Sequence, residues 1–451
     1  LPPPEGADAA HPCHGVEPAS HLASVSTQPE AIGDNCFDSS EGLIAFALAH
    51  NPQIAAARLR ADALTARVPQ VQSLEDPQLT TTTFLHAIET AAGPQDLALS
   101  LSQKIAWFGK RAFRGNVAFQ EAQAAYQQLA TVELNVIEQV KLAYLELYFL
   151  ARAIEVNRQL QPRLKDVIEI TRAKYQTNAQ GTGLESVLQA EVALARLRTT
   201  MVELEQAEVR AKARLAQALH LPDGAEIVAP SELETSLVPE RAQALLEMIE
   251  ACHPELEARR YEIARDRAAV GLARRNYYPD LKLTFNWYAI GSKGLSPFAT
   301  GDDAYSIGVG LNLPIYLNRL NATLSEAQLK LAESCQNYQA TWDTAYAEVR
   351  KLHAQATEHD QVLRILEMEI LPKARQTLDL SIEAFRLGRI GFQQMIDNYE
   401  AYLRYEIEYY MRKTRREQAV ASLERAIGCA VAHWPVGLQE VPTTPPLPEP
   451  R

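Results

Sequence analysis

The sequence predicts a mainly α-helical chain with a small β part, built as a two-fold internal duplication. Three observations carry that reading. Eleven of the 25 prolines fall in residues 1–40 and 441–451, so the middle of the 451-residue chain holds long runs without helix breakers. An ordered set of landmarks occurs twice at a nearly constant offset. Two short stretches, one in each half, alternate apolar and polar residues with the period of a strand.

The ends come first. Residues 1–38 mix Pro, His, Ser and Ala without period, and 431–451 are Pro-rich; both read as disordered because neither can bury enough apolar surface to offset ordering entropy. The chain starts Leu1-Pro2-Pro3-Pro4, which fits a mature or trimmed chain. Between the ends, repeat one covers 39–228 and repeat two 229–430. His50-Asn51-Pro52 matches Cys252-His253-Pro254, Pro77 matches Pro279, and Pro162 matches Pro372. Ala213, Leu215 and Ala218 match Ala421, Leu423 and Ala426.

Each half opens with a helix, at roughly 41–71 and 240–276. Strand segments follow at 78–105 and 280–314, around a Gly/Pro loop. Long helices then fill 110–221 and 316–427, each as an outgoing helix, a Gly-containing turn and a return helix. Residues 116–161 and 315–371 contain neither Gly nor Pro, and the latter run alone makes about 85 Å of helix. Pro162 and Pro372 bend these helices rather than end them. The opening and return helices of each half, laid end to end, match the outgoing one in length. Val136, Val140, Ala143, Leu147, Leu150 and Ile154 step by 4 and 3, as do Leu188, Val192, Ala195, Thr199, Val202, Gln206, Val209, Ala213 and Ala216. A 3.5-residue seam marks helices packed side by side.

Composition excludes several classes. The net charge of −12 argues against a nucleic-acid footprint. No run approaches 18 apolar residues, which excludes a helical membrane protein but not a β-barrel. Five cysteines are too few for a disulfide scaffold; free thiols are the plain reading, with a Cys13–Cys36 bridge as the alternative. His11, Cys13, His14 and His21 suit a borderline metal in type, but their spacing matches no closed zinc site, so no metal is assigned. His359 reads as an interfacial histidine. No catalytic constellation or cofactor motif stands in a supporting context.

The strand segments decide the class. Leu97, Leu99 and Leu101 alternate with small or polar residues, as do Leu281, Leu283, Phe285, Trp287 and Ala289, and Tyr305, Ile307, Val309, Leu311 and Leu313. Leu79, Thr81, Thr83 and Leu85 form a weaker row. Such alternation suits a strand with one face to lipid and one to water, or a soluble sheet with one buried face. Trp107, Phe108, Tyr277, Tyr278 and Tyr316 all fall at the helix end of the hairpins, as a membrane–water interface favours; Phe298 stands in the opposite loop. Four strands cannot close a barrel, and open edges do not survive in lipid. If the strands span a membrane, several chains must share one barrel.

With these elements in hand, the chain resembles the TolC-type outer-membrane efflux factors of Gram-negative bacteria over residues 40–430. The resemblance rests on the duplicated element order, on Ala49-His50-Asn51-Pro52, on Trp107-Phe108-Gly109-Lys110-Arg111, and on Tyr399 after Gly388-Arg389-Ile390-Gly391. The Trp-Phe-Gly-Lys-Arg segment is similar to the heavy-metal branch, the CusC and CzcC-like proteins. The resemblance implies a homotrimer: a twelve-stranded β-barrel in outer-membrane lipid, four strands per chain, continued by a coiled-coil α-helical barrel through the periplasm. It implies a periplasmic membrane-fusion adaptor and an inner-membrane pump of RND type as partners. The conduit would perform no chemistry and need no cofactor. It would pass small solutes, with heavy-metal cations in view. Two alternatives stay open: the outer-membrane duct of a type I protein secretion system, and a soluble coiled-coil scaffold.

The same resemblance implies site residues. Gly181, Gly183, Gly388 and Gly391 mark the turns between long helices, where an adaptor would dock; a positive φ at a tight turn would also explain them. Asp397 and Glu400 would line the periplasmic entrance, with Arg386 or Arg389 as a basic neighbour for Asp397. A solvated helix surface is the other reading of Asp397.

Overall fold

The computed structural model describes residues 40–177, 183–221, 227–230, 232–233, 235–236, 242–293, 297 and 300–429. His11, Cys13, His14, Gly181 and Phe298, and both terminal segments, lie outside the described residues.

Each half opens with two helices rather than one: α1 (Ser40–His50) and α2 (Pro52–Gln72), then α5 (Ala242–Cys252) and α6 (Pro254–Arg275). The break falls at the residue before proline, which proline pushes out of the helical region. Asn51 and His253 stand there as N-caps. The Asn51 side chain accepts from the Gln53 N–H at 2.8 Å, and the His253 ring from the Leu256 N–H at 3.3 Å. The landmark tripeptides of the duplication are therefore helix starts.

The outgoing helix of repeat one, α3 (Lys110–Gln176), runs 67 residues straight through Pro162. Its counterpart is α7 (Leu317–Ile365), a π-helical turn (Leu366–Ile370) and α8 (Leu371–Arg386). The wider turn directly before Pro372 absorbs the proline's missing N–H and steric demand without ending the helix. The return helices are α4 (Leu184–Leu219) and α9 (Phe392–Ile427). α2 and α4 both pack along α3; α6 and α9 pack along both α3 and the α7–α8 column. The end-to-end stacking expected from helix lengths is thus present, with α3 held between the two stacks.

The seam on α3 is buried, with Val136, Val140 and Leu147 at 1% exposure or less. The seam expected on α4 is not inside the protomer. Leu188, Val192, Val202 and Val209 are 51–60% exposed, while Val187, Ala190, Leu197, Ala211 and Leu215 face α3. A helix with two apolar stripes packs only one of them within a single chain.

The strands β1 (Gln78–Thr90), β2 (Gly93–Ile105), β3 (Leu281–Ile290) and β4 (Ala304–Leu311) form one antiparallel sheet in the order β1-β2-β3-β4. The two hairpins, one from each repeat, join through β2 and β3. Among the described residues, no helix is long and apolar enough to cross a membrane.

Candidate functional site

The register aligns the side chains of all four strands. Leu79, Leu101, Phe285 and Ile307 form one cross-strand row, and Thr81, Leu99, Trp287 and Tyr305 the next. Gln103, Leu283 and Val309 continue the same face. The opposite face carries Ser102, Thr284 and Gly308, then Thr80, Ser100, Asn286 and Ser306. Asn286 donates to the Ser306 hydroxyl at 3.0 Å on this polar side. On the apolar side the Trp287 indole N–H is satisfied by Asp303 at 3.0 Å. Among the described residues nothing covers the apolar face: Leu79 is 69% exposed, Ile307 82% and Val309 66%. β1 and β4 are open edges.

The sheet is bolted to the helices at its other end. Gly109, the N-cap of α3, takes φ +83°, a left-handed turn that glycine permits. It aims Lys110 inward, where the ammonium donates to Asp280 Oδ1 at 2.7 Å and to the Tyr278 carbonyl at 2.8 Å. The Trp107 N–H donates to the same carboxylate oxygen at 2.9 Å. Asn312 accepts from the Asp280 N–H and donates its own N–H to the Asp280 carbonyl. One buried ion pair thus joins the end of β2, the start of β3, the residue after β4 and the start of α3. Sequence reasoning noticed Lys110 only inside a motif and missed Asp280. The usable signal was a lysine at a strand-to-helix junction, where a charge has no solvent-facing reason to sit.

The aromatics expected at this level do gather in part. Trp107 stacks on Tyr278 with centroids 5.7 Å apart, and Phe108 meets Trp107 edge-on at 5.8 Å. Tyr277 lies apart and donates to Asn321 at 2.6 Å. Tyr316 is 70% exposed at the N-cap of α7.

At the far end, Gly388 takes φ +72°, the left-handed conformation expected of a turn glycine. Gly183 and Gly391 do not. They are extended N-caps at φ −93° and −76°, conformations open to any residue. Lys174, in the last turn of α3, donates to the Phe385 carbonyl and sits over the Phe385 ring at 4.4 Å. Burial holds its ammonium below the usual lysine range. Phe385 in turn meets Phe392 at 6.0 Å across the turn. Tyr399 is buried, donates to the Leu160 carbonyl at 3.1 Å and ties α9 to α3; burial pushes its phenol far up.

Asp397, Glu400 and Arg389 are all exposed. Asp397 accepts from Gln393 one turn earlier at 2.7 Å, and Arg386 pairs with Glu383 at 2.8 Å. Asp397 and Arg386 are each drawn to a neighbour on their own helix, and among the described residues no ion pair joins Asp397 to Arg386 or Arg389. His359 meets Arg412 at 3.3 Å, and burial first, then that guanidinium, lowers its pKa. Among the described residues, no group of three or more His, Cys, Asp or Glu could hold a metal ion.

Among the described residues, a sheet with a bare apolar face and two open edges is continued by a double column of long helices with a bare apolar stripe. The chain is 23% identical to the pyoverdine export outer membrane protein OpmQ of Pseudomonas aeruginosa, over 73% of this chain and 69% of that protein. It is 23% identical to the cobalt-zinc-cadmium resistance protein CzcC of Cupriavidus metallidurans, over 86% and 89%. The solved outer-membrane channel OprN shares the fold with a TM-score of 0.75 at 18% identity, covering 87% of this chain and 91% of that one. The profile of the outer membrane efflux protein family matches residues 43–220 and 245–429, one segment per repeat, and the chain belongs to that family.

Proposed function

We propose that the protein is the outer-membrane channel of a tripartite efflux system and works as a homotrimer. Three copies would join β1 of one to β4 of the next, giving twelve strands with the Leu79–Ile307 face to lipid and the Ser306 face to water. The observation that carries this reading is the sheet itself. Its apolar face is exposed in every row, and its open edges can exist in lipid only if paired with another copy. The exposed stripe on α4 supports it, because α3 has helices on both flanks while the α7–α8 column has them on one. Membership in the efflux family sets aside the soluble scaffold. Partners are a periplasmic adaptor, docking at the tips around Gly183, Gly388 and Gly391, and an inner-membrane pump. Trp107, Phe108, Tyr277, Tyr278 and Tyr316 mark the periplasmic-side interface of the outer membrane, and Asp397 with Glu400 the periplasmic entrance. Small solutes are the cargo, and the extent of the likeness to CzcC favours heavy-metal cations.

The test is mass in solution together with conductance. Detergent-solubilised protein should have the mass of three chains and form ion-conducting pores in planar bilayers. A monomer that remains soluble without detergent and conducts nothing would refute the reading.

A further inference from the structure

Two of the cysteines meet. Cys252 is the last residue of α5, and Cys429 follows α9 by two residues. Gly428 between them turns the chain at φ +95°, and a Cβ placed there would lie 2.5 Å from the Cys252 carbonyl oxygen, so the two backbones touch. The two side chains are near enough that the Cys252 thiol helps to push the Cys429 thiol up. Both thiols are half-buried, and Cys429 packs against the cluster of Leu245, Ile249, Leu423 and Ile427 that holds α5 to α9. The duplication sharpens the point: the matching positions of repeat one are His50 and Leu221. Both members of the pair occur in one half and neither occurs in the other. Among the described residues, Cys335 is the remaining thiol; it is exposed on α7.

We propose that Cys252 and Cys429 form a disulfide in the cell envelope, stapling the two ends of repeat two together. A metal is the weaker use of the pair, since no third ligand converges on it among the described residues. Oxidation runs by thiol–disulfide exchange with a protein or glutathione disulfide as the oxidant. The Cys252 thiolate attacks one sulfur of that disulfide, forming a mixed disulfide and releasing one thiolate. The Cys429 thiol then loses its proton and attacks the Cys252 sulfur. The S–S bond between them forms, the mixed disulfide breaks, and the oxidant leaves as two thiols. Two cysteines are oxidised by two electrons in all. Burial first, then the neighbouring thiol, pushes Cys429 up. The bond would enclose α6, β3, β4 and α7–α9 in one covalent loop, the class of long closure that most restricts an unfolded chain.

The inference rests on the outer-membrane placement, which exposes these helix ends to an oxidising compartment. Outer membranes are isolated, thiols are trapped by alkylation in denaturant without reductant, and the chain is digested and weighed. The expected result is a linked Cys252–Cys429 peptide about 2 Da lighter than its two thiol halves, with Cys335 alkylated. On reduction the melting temperature should fall by about 5 °C or more, while Cys252→Ser and Cys429→Ser variants should not respond to reductant. Alkyl label on both cysteines before reduction, or linkage of either to a different cysteine, overturns the proposal. Purified full-length chain incubated with oxidised glutathione separates the two ideas. Failure to link there refutes the pairing itself. Linkage there, with free thiols in the cell and the chain absent from the outer-membrane fraction, refutes the placement.

Discussion

The Lys110–Asp280 pair should behave as the bolt between barrel and helices. Its side chains are 4% and 13% exposed, so solvent cannot take over either charge. Lys110→Met leaves the Asp280 carboxylate with the Trp107 N–H on Oδ1 and no hydrogen-bonded cation, Lys104 acting on it only through space. Stranding a buried charge in this way costs about 3–5 kcal/mol. Asp280→Asn keeps a neutral acceptor for Trp107 and Lys110 but removes the counter-charge of the buried ammonium; a cost in the same range is expected. The double variant Lys110→Met/Asp280→Asn has no buried charge and keeps an acceptor for the Trp107 N–H, so only the hydrogen bonds of the lost ammonium are missing, worth about 1–3 kcal/mol. The double should therefore be less damaged than the two singles added together, by more than about 2 kcal/mol. The assay is the loss of far-ultraviolet circular dichroism on denaturation in detergent, for parent, singles and double. Singles within about 1 kcal/mol of the parent, or an additive double, would refute the reasoning.

The tip glycines should separate: Gly388→Val forces a branched residue to φ +72° and should cost roughly 1–2 kcal/mol, whereas Gly391→Val, extended and with no atom within 4 Å of its added Cβ, should change the melting midpoint little. Leu283→Arg or Val309→Arg on the apolar face should lower assembled yield, at about 2–4 kcal/mol per chain, and Thr284→Arg on the opposite face should be tolerated; equal losses would count against a spanning barrel. Asp266 gives an acid limb. Burial alone would raise its carboxyl, but hydrogen bonds from Arg265 and Ser334 outweigh burial and hold it below the usual range. The unfolded chain then takes up the proton first, so this stability is full above about pH 4 and is lost as pH falls through the folded value; Asp266→Asn should flatten the midpoint's dependence on pH there. If Asp397 lines the entrance, Asp397→Ala should raise single-channel conductance and Asp397→Arg should reverse cation preference. Parent-like conductance and selectivity in both would return it to a plain surface acid.

Much of this was legible in the sequence because periodicity is a local property. The strand alternation at Leu97–Leu101 and Leu281–Ala289 fixed both faces of the sheet, and cross-strand pairing only had to align them. The duplication gave the element order and the end-to-end stacking. What failed was phase and partner. The stripe at Leu188–Val209 has the right spacing, yet spacing cannot say whether a stripe faces its own chain or a second copy. Gly183 and Gly391 carry the composition of a tight turn but the backbone of a helix start. The opening helices look continuous in sequence because apolar spacing runs on across Pro52 and Pro254, while the backbone breaks at the residue before each proline. Asp280 was out of reach because its partner is far off in sequence, and only the fold brings Lys110 to it.

The stacking of short helices beside long ones also constrains how such a chain can change length. α3 has 67 residues, and its flank is tiled by α2 with 21 and α4 with 36. Seven residues added to α3 alone would extend it by about 10 Å, and two turns of its apolar seam would lose their neighbours. Three or four added alone would also rotate everything beyond them relative to the stacks. A longer or shorter relative must therefore insert or delete whole heptads in a long helix and its flanking stack together. The reach of the molecule is quantised, and a change in one column is viable only with a matching change in the other.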